Sequence, residues 1–452
     1  MIYKKTQLEA KWFSELRRRL KIENYLGYYD NFQKDDLANL IDVRLHKEEA
    51  LEMQKYKKTE NVTNHLIDAI SLLFQQEVMI AIEGKTEIDV KQTEDFNEIL
   101  DSLLFNATMQ DVNRKVNLSK DVGIIPQIRE GKIFLDIVTS DQMIVKQKDD
   151  DPTQAEWIAY QVGINTNTTQ FTKINIYHKW SSEGKFEIEV GDKGQIIKET
   201  QIDAPSYDGL IPLIMFRNYI PTKSFFKNFN SEIVEFNQNL NYNITRLEMM
   251  RDYNIPQRVD IGTDPDKIYP IGITMRMAFD QGLGDTKQES KYINPNFPIT
   301  QESETNKEDK ESFAISLGLG KDSVSGGEFT SGYELRLSRE NILNKNRAER
   351  PFYRNSIKEL CKIIMMTANQ IDSHFKLDSK IKIDFGEIKY SDDPQQKAQT
   401  RSQEISNGTK SRIDFIMEDN PDLNRKDAGL KAKLIDKENS KSEIFKNIPE
   451  IE

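Results

Sequence analysis

Apolar side chains in the first quarter of the chain recur at intervals of three and four residues, the spacing that places them on one face of a helix. Four such faces are predicted, and each is expected to pack into a core. The charged residues 47–58 are typical of a solvated helix surface. The four faces consist of Leu8, Trp12, Leu16 and Leu20; Leu37, Leu40, Ile41 and Leu45; Leu66, Ile70, Leu73 and Phe74; and Phe96, Ile99, Leu100, Leu103 and Leu104.

Beyond Gly123 the pattern changes to an alternation of apolar and polar positions, which is typical of half-buried strands. Glu130 and Gly131 form a hairpin signal, and turn-forming residues separate the later alternating stretches. We therefore expect an antiparallel sheet in this region. The predicted strands are residues 128–137 with their hairpin, 157–164, 171–180, 186–190 and the buried run 211–216.

A second helical block is predicted from Ser231 to about Tyr253, where apolar residues again recur at three and four and Pro256 ends the pattern. Its polar positions, expected on the outer face, are Asn237, Asn239, Asn241, Asn243 and Arg246. A polar helix is predicted over residues 301–317. Between the two helices the pattern predicts a small strand-rich insert, with strands at 257–261, 273–279 and 292–297.

The glycine-rich residues 318–332 lead into a predicted helix that extends to about Ile371. Pro351 is expected to kink this helix, because proline removes a backbone donor and clashes with the preceding turn. The charged first half of the helix is expected at a wet or intersubunit surface. A strand is predicted at 380–390, short helices with a break at Gly408 over 392–438, and a frayed or disordered end after that.

These elements predict an α+β fold, and 452 residues exceed the size of a single growing core, so two or more packed regions are expected. The net charge of −11 argues against a protein that grips nucleic acid over its whole surface, although it allows DNA to slide past. No stretch has the length of a membrane span or the pattern of a signal peptide, so we expect no export.

The glycine-rich stretch invites comparison with a phosphate-binding loop, which needs a glycine five residues before Gly-Lys and a Ser or Thr after the lysine. Ile315 and Asp322 occupy those positions. Because a carboxylate beside phosphate would repel it, we interpret the stretch as a mobile loop instead.

Candidate catalytic groups are scarce. The single cysteine, Cys361, lies among apolar residues, and the four histidines lack the spacing of a metal site. Pairs or runs of aspartates at 35–36, 149–151 and 392–393 adjoin turns, where carboxylates cap backbone donors more often than they bind calcium or magnesium. The sequence predicts no enzyme and no cofactor.

The order of elements resembles that of the portal proteins of tailed bacteriophages over nearly the whole chain. Each local match is short: Tyr28-Tyr29-Asp30; Asn64 followed by Ile67, Ile70, Leu73 and Phe74; Ile211-Pro212; Ser331-Gly332 with Leu335 and Arg336; and Asn407-Gly408-Thr409-Lys410-Ser411. Gln75, Glu77 and Glu334 depart from the family pattern, which indicates a distant member.

The resemblance implies a dodecameric ring at a capsid vertex of the virion, through which double-stranded DNA passes during packaging and ejection. It implies these parts: a wing at 1–228, a stem helix at 229–254, a clip at 255–300, a second stem helix at 301–317, a tunnel loop at 318–332, a long wing helix and returning strand at 333–391, and a crown with the C-terminal tail at 392–452. It also implies four protein partners: the terminase large subunit, the major capsid protein, scaffolding protein and a head-completion or adaptor protein.

On this interpretation the glycine-rich stretch lines the DNA channel. Its residues are Gly318, Gly320, Lys321, Asp322, Ser323, Ser325, Gly326, Gly327 and Glu328, and the long helix opens with Ser331, Gly332, Leu335 and Arg336 and kinks at Pro351. Lys321 is either a phosphate contact or merely solvated. Two rival hypotheses remain open: another ring or adaptor component of the virion, and a metal-dependent hydrolase that uses the aspartate-rich turns.

Overall fold

The computed structural model describes residues 2–83, 87–167, 172–191, 194–254, 257–261, 289–293, 297–321, 324, 332–371, 374–386, 394–419 and 425–446. The chain forms two compact units. Unit 1 comprises Met1–Gly327 and Arg339–Ile388, and unit 2 comprises Glu328–Ser338 and Lys389–Glu452. Helices and antiparallel sheets are both present, so the predicted α+β class is confirmed.

Helices make up the larger share of the described fold. They are α1 Ile2–Tyr29, α2 Lys34–Arg44, α3 Lys47–Met53, α4 Val62–Ile70, α5 Glu87–Ser102, α6 Phe105–Ser119, α7 Glu232–Tyr253, α8 Ile299–Ser316, α9 Gly332–Asn369, α10 Pro394–Ser406, α11 Arg412–Asp419 and α12 Arg425–Lys446. The helix α9 spans both units, because its first turns belong to unit 2 and the remainder to unit 1.

The strands pair in antiparallel sheets throughout the described residues. They are β1 Val78–Ile82, β2 Asp121–Arg129, β3 Lys132–Thr139, β4 Met143–Gln147, β5 Ala155–Asn167, β6 Thr172–Ser181, β7 Gly184–Gly191, β8 Ile196–Ile202, β9 Ile214–Arg217, β10 Gln257–Ile261, β11 Glu289–Ile293 and β12 Ile381–Phe385. Their orders are β3-β2-β9, β4-β5-β6-β7-β8, β1-β12 and β10-β11.

The predicted hairpin between β2 and β3 is confirmed. Arg129 pairs with Lys132, and the two residues between them, Glu130 and Gly131, both have positive φ, at 51° and 73°. Two consecutive left-handed residues match the right-handed twist of the flanking strands, which is why a glycine is favoured there.

The largest core of unit 1 lies where the second half of α9 meets α6 and the sheets. Tyr353, Ile357, Leu360 and Ile364 project from α9 into it and are fully buried. A second core joins α1, α4, α7 and the end of α8, and Ile342 of α9 reaches into it. The helix α9 thus ties the two cores together, which explains the long apolar periodicity in its sequence.

Several predicted elements differ from the observed ones. The third helix ends at Ile70, and Leu73 and Phe74 are buried in the turn that follows. Leu104, assigned to the apolar face of the fourth helix, lies beyond the end of α5 in a left-handed conformation and is 70% exposed. The helix α6 and the strands β1, β4 and β8 were not predicted, because α6 buries asparagines and the three strands are short or largely exposed.

Two polar assignments on α7 were also wrong, because Asn237 and Asn241, expected on its outer face, are fully buried. Hydrogen-bond partners on neighbouring segments make their burial tolerable, and the sequence pattern does not show those partners. The charged first half of α9, expected at a wet or intersubunit surface, is mixed: Glu340, Lys345 and Arg347 are exposed, and Asn346 and Glu349 are buried.

The predicted insert between α7 and α8 is described only in part. The strand β10 matches its prediction, β11 lies slightly earlier than predicted, and the strand predicted at 273–279 lies outside the described residues. The two described strands form a five-residue antiparallel ladder from Gln257–Ile293 to Ile261–Glu289.

Unit 2 has a small core of its own, where Phe415 of α11 and Ala428 of α12 are buried. The predicted break between short helices is confirmed at Gly408, whose φ is 67°. The expectation of a frayed end after residue 438 was wrong for its first part, because α12 continues to Lys446. In the described part of the chain, no helix is both long and apolar enough to cross a bilayer.

Candidate functional site: the paired helices and the glycine segment

The helices α7 and α8 form an antiparallel pair. Phe236, near the start of α7, stacks on Phe313, near the end of α8, with ring centroids 4.2 Å apart and planes 5° from parallel. Toward the other end, Arg246 donates to Glu302 at 2.8 Å. Because contacts occur at both ends, the pair is held along most of its length, and the insert with β10 and β11 lies at one end of it.

The inner side of α7 is a polar ladder, which we define as Asn237, Asn241 and Thr245. These residues are four apart and therefore lie on one helix face. They hydrogen-bond the backbone of the irregular segment 57–61 and of Thr63 at the start of α4. The bonds are Thr63 N to Asn237 Oδ1 at 2.9 Å, Asn237 Nδ2 to Glu60 O at 2.8 Å, Glu60 N to Asn241 Oδ1 at 2.8 Å, and Lys58 N to Thr245 Oγ1 at 3.2 Å.

The polar ladder satisfies backbone groups that have no strand partner. Since an unpaired buried amide is strongly unfavourable, the ladder fixes the segment against α7. A bond from Lys310 Nζ of α8 to Glu60 Oε1 at 3.0 Å holds the same segment from the other helix. Sequence reasoning missed this role, although the spacing of four between two asparagines and a threonine was visible.

The glycine segment, defined here as residues 318–332, begins at a well-formed helix end. Gly318 has φ of 83°, its N–H donates to Ile315 O at 2.8 Å, and Leu319 N–H donates to Ala314 O at 2.9 Å. This pair of bonds is the Schellman arrangement, which satisfies the last carbonyls of a helix and requires a left-handed residue. Glycine is favoured at position 318 for that reason.

The beginning of the glycine segment is also anchored by packing. Leu319 is buried in the second core, and a Cβ at Gly318 would lie 3.2 Å from the Cβ of Asn341 on α9. Val324 packs against the same core. The first residues of the segment are therefore held between α8 and α9, so the point from which the loop leaves is well defined.

The structure describes only some of the predicted loop residues. Gly318, Gly320 and Lys321 are described, and Lys321 is exposed. Asp322, Ser323, Ser325, Gly326, Gly327, Glu328 and Ser331 lie outside the described residues.

At the far end of the segment, α9 begins at Gly332, the last residue of the predicted loop. Leu335 and Arg336 lie in its first two turns, in the stretch whose side chains are not described. Pro351 stands inside the helix, which continues through it, and its side chain is exposed. The kink at this position stays a prediction.

A groove of about 480 Å³ runs between α7 and α8, with Val324 of the glycine segment at its edge. Its charged lining is mixed, with acids beside bases from both helices. The charged residues are Lys58, Glu60, Glu248, Arg251, Glu304, Lys307 and Lys310. Such a surface binds neither polyanions nor cations preferentially, which agrees with a structural contact between the helices.

A buried ion pair fixes the chain on its way from the sheet into α7. Arg217 of β9 donates from Nε to Asp121 Oδ1 of β2 at 2.6 Å, and Tyr219 donates its hydroxyl to the same carboxylate at 2.7 Å. Burial raises the pKa of Asp121, and Arg217 opposes that effect. Removing one partner would leave a buried charge, so the pair acts as a structural clamp.

Further titratable groups gather beside this clamp. Burial, with help from Lys345, lowers the pKa of Lys120 to about 8, and burial raises the pKa of Glu349, which accepts a bond from Asn218 at 3.2 Å. Glu349 lies on α9, and Lys120 lies at the junction of α6 with β2. This arrangement connects the sheet to α9 through buried charges and hydrogen bonds.

Among the residues that the structure describes, no three His, Cys, Asp or Glu side chains are close enough together to hold a metal ion. Asp36 accepts bonds from Asn24 and Tyr28, and Asp151 caps Thr153, while residues 392–393 lie outside the described chain. His178 is half-buried and burial lowers its pKa to about 4. Cys361 is fully buried in the core.

Comparison with protein-family models and with curated proteins finds no match to this chain.

Proposed function

We propose that this chain is the subunit of a portal ring of a tailed bacteriophage, a dodecamer at the capsid vertex of the virion through which double-stranded DNA passes. In this role it acts without catalysis and without a cofactor. The parts of the chain outside the channel lining surround and orient the channel. The packaging motor and the head-completion protein dock on the exposed end of the ring.

One arrangement carries the proposal. The antiparallel pair of α7 and α8 has the strand-bearing insert at one end and the glycine segment at the other. The helices contain 22 and 18 residues, so at 1.5 Å per residue they are about 33 and 27 Å long. A rigid pair of this length separates a docking tip from a channel loop, which is what a portal subunit needs.

The glycine segment is proposed as the channel lining. The Schellman end at Gly318 and the burial of Leu319 hold its first residues, while its glycine content allows the residues beyond them many backbone conformations. In a ring, each exposed Lys321 is repeated around the axis and adds to a positive band. The net charge of −11 per chain keeps DNA from adhering elsewhere, so that it slides.

The insert between α7 and α8 is proposed as the docking site for the terminase large subunit during packaging and for the head-completion protein afterwards. The major capsid protein and scaffolding protein contact the outer parts of unit 1. These assignments rest on the same arrangement, because the insert joins the end of the helix pair that lies away from the glycine segment.

The direct test is the assembly of the purified protein. We expect native mass spectrometry to give a closed oligomer of about twelve subunits, and negative-stain images to show rings with a central hole. A stable monomer that hydrolyses nucleotide would overturn the proposal.

A second test shortens the loop. Deletion of residues 325–329 retains Val324, whose side chain packs against the core, and is expected to leave rings intact while DNA packaging or retention falls. Replacing the same five residues with an equal length of glycine and serine is the matched control, and we expect it to restore retention. Loss of the ring on deletion would show that the loop is structural.

A further inference from the structure

A basic groove lies between α9 and β12. Along α9, cationic residues recur every fourth position and so share one side of the helix. Three of them, together with two lysines of the facing strand region, line a cavity of about 480 Å³, and the fourth, Arg350, donates to Gly386 O just after β12. The groove cations are Arg350, Arg354, Lys358, Lys362, Lys380 and Lys382.

In the described parts of the chain no ion pair involves any of these six cations, and only Glu83 and Asp378 line the groove as acids. Lys362 has an acidic neighbour on its own helix, since its charge partly offsets the burial that raises the pKa of Glu359. Arg350 donates to Gly386 O at 3.2 Å, and Arg354 lies 5.8 Å from the centre of the Phe385 ring. Cations four apart on a helix repel each other, and the chain as a whole is acidic. The groove therefore carries an excess of positive charge.

A complementary acidic face lies on α5. Glu94, Asp95, Glu98 and Asp101 are exposed, and none has an ion pair within the described residues. They are three or four apart and repel each other as the groove cations do. Two stripes of opposite charge, neither of which forms an ion pair among the described residues, thus occur on one subunit.

The two stripes belong to different elements packed on the β1-β12 sheet. The helix α5 lies against β1, where Thr93 Oγ1 accepts from Ile82 N at 3.2 Å. The groove is formed where α9 faces β12, the strand that pairs with β1 from Val78–Phe385 to Ile82–Ile381, and Glu83 at the end of β1 also lines it. Within the described residues of one subunit the two stripes form no ion pair with each other, so a second copy can supply the opposite charge to each.

We infer that the basic groove of one subunit receives the acidic face of α5 from the next subunit, in a head-to-tail contact. This inference rests on the proposed function, since a contact between two different surfaces of the same chain generates a ring when its rotation closes. Opposite charges on the two surfaces guide the subunits together and set their register, and they disfavour groove-to-groove and face-to-face pairs.

Two charge-reversed variants test the inference. The groove variant carries Lys358→Glu and Lys362→Glu, and the face variant carries Asp95→Lys and Glu98→Lys. Each variant alone is expected to lose rings, because like charges then meet at every contact. An equal mixture is expected to restore them as alternating rings, since the reversed groove meets the reversed face and the unaltered groove meets the unaltered face.

Native mass spectrometry and negative-stain imaging are the measurements, with circular dichroism and thermal unfolding to establish that each variant is folded. If the reversed groove variant fails to fold, a neutral groove variant with Lys358→Gln and Lys362→Gln replaces it. This neutral variant is expected to weaken ring assembly. Rings of the wild-type protein should also weaken as salt rises from about 0.05 to 1 M, because screening shortens the range of the attraction.

The outcomes separate the two proposals. If the wild-type protein forms no ring, the proposed function fails, and this inference fails with it. If the wild type forms rings and both variants assemble as well as it does, only the inference is overturned. The inference is also overturned if both variants are folded but form no rings even when mixed. It is likewise overturned if the groove variant forms normal rings but no longer binds a DNA duplex, a result that would assign the groove to nucleic acid.

Discussion

At Gly318 the backbone determines which side chain the position accepts. Its φ of 83° is rarely adopted by residues with a Cβ, and the space beside it is taken by Asn341. A single residue thus sets where α8 ends and the glycine segment begins. At position 178 the surroundings likewise set the chemistry of the side chain, because burial, with a contribution from Lys185, lowers the pKa of a half-buried imidazole.

Substituting Gly318→Ala should lower the free energy of unfolding by about 1–2 kcal/mol for the left-handed backbone, and further for the contact with Asn341. Gly209→Ala is the matched control, since Gly209 has φ of 78° and open space where a Cβ would lie. Urea unfolding measures both. Equal losses in the two variants would contradict the role assigned to Asn341.

The pKa of His178 is lowered from 6.5 to about 4, first by burial and then by Lys185. Glu187, 3.8 Å away and partly exposed, is too far to form a hydrogen bond that would counter this. The unfolded chain therefore binds the proton more tightly, so this stability is present above pH 6.5 and is lost as the pH falls toward 4.

The expected loss is about 2 kcal/mol, after discounting for the partial exposure of the ring. Urea unfolding of the wild type and of His178→Gln, each between pH 7 and about pH 4, gives the measurement. The difference between their stabilities should change through this window, and parallel curves would contradict the assignment.

At the scale of elements, the polar ladder of α7 explains how a helix with many asparagines sits in a core. Asn237 and Asn241 hydrogen-bond a segment that no strand pairs, while Asn239 on the opposite side is exposed and accepts from Arg44 at 2.7 Å. The same residue type therefore has two roles on one helix, according to the side on which it lies.

Asn237→Ala should lower the free energy of unfolding by about 2–4 kcal/mol, because it leaves the Thr63 amide and the Glu60 carbonyl buried without partners. Asn239→Ala is the control and should change it by less than about 0.5 kcal/mol, as surface substitutions do. Urea unfolding compares the two. Similar losses at both positions would show that the ladder has no special role.

At the scale of the whole molecule, each unit has hydrophobic cores of its own. Both of its larger cores are built from side chains up to Phe385, and unit 2 buries Phe415 and Ala428 separately. In the proposed ring, unit 1 carries the helix pair, the groove and the acidic face of α5.

Removal of residues 389–452 should therefore leave unit 1 folded, with its free energy of unfolding changed by less than about 1 kcal/mol. Circular dichroism and urea unfolding of the truncated chain give the measurement, and native mass spectrometry shows whether rings persist. Loss of a cooperative transition would show that unit 1 depends on the C-terminal residues.

The sequence by itself determined the α+β class, the hairpin at Glu130 and Gly131, the helices α7 and α8, the long helix through Pro351 and the start of the glycine-rich stretch at Gly318. These features follow from periodicity and from backbone preferences that are local. The tertiary structure alone decided that Asn237 and Asn241 face inward, that Asp121 and Arg217 form a buried pair, and that cations of α9 and of the β12 region line one groove. Such features depend on partners distant in sequence, and a local pattern of polar residues is the same whether its hydrogen bonds go to water or to another segment.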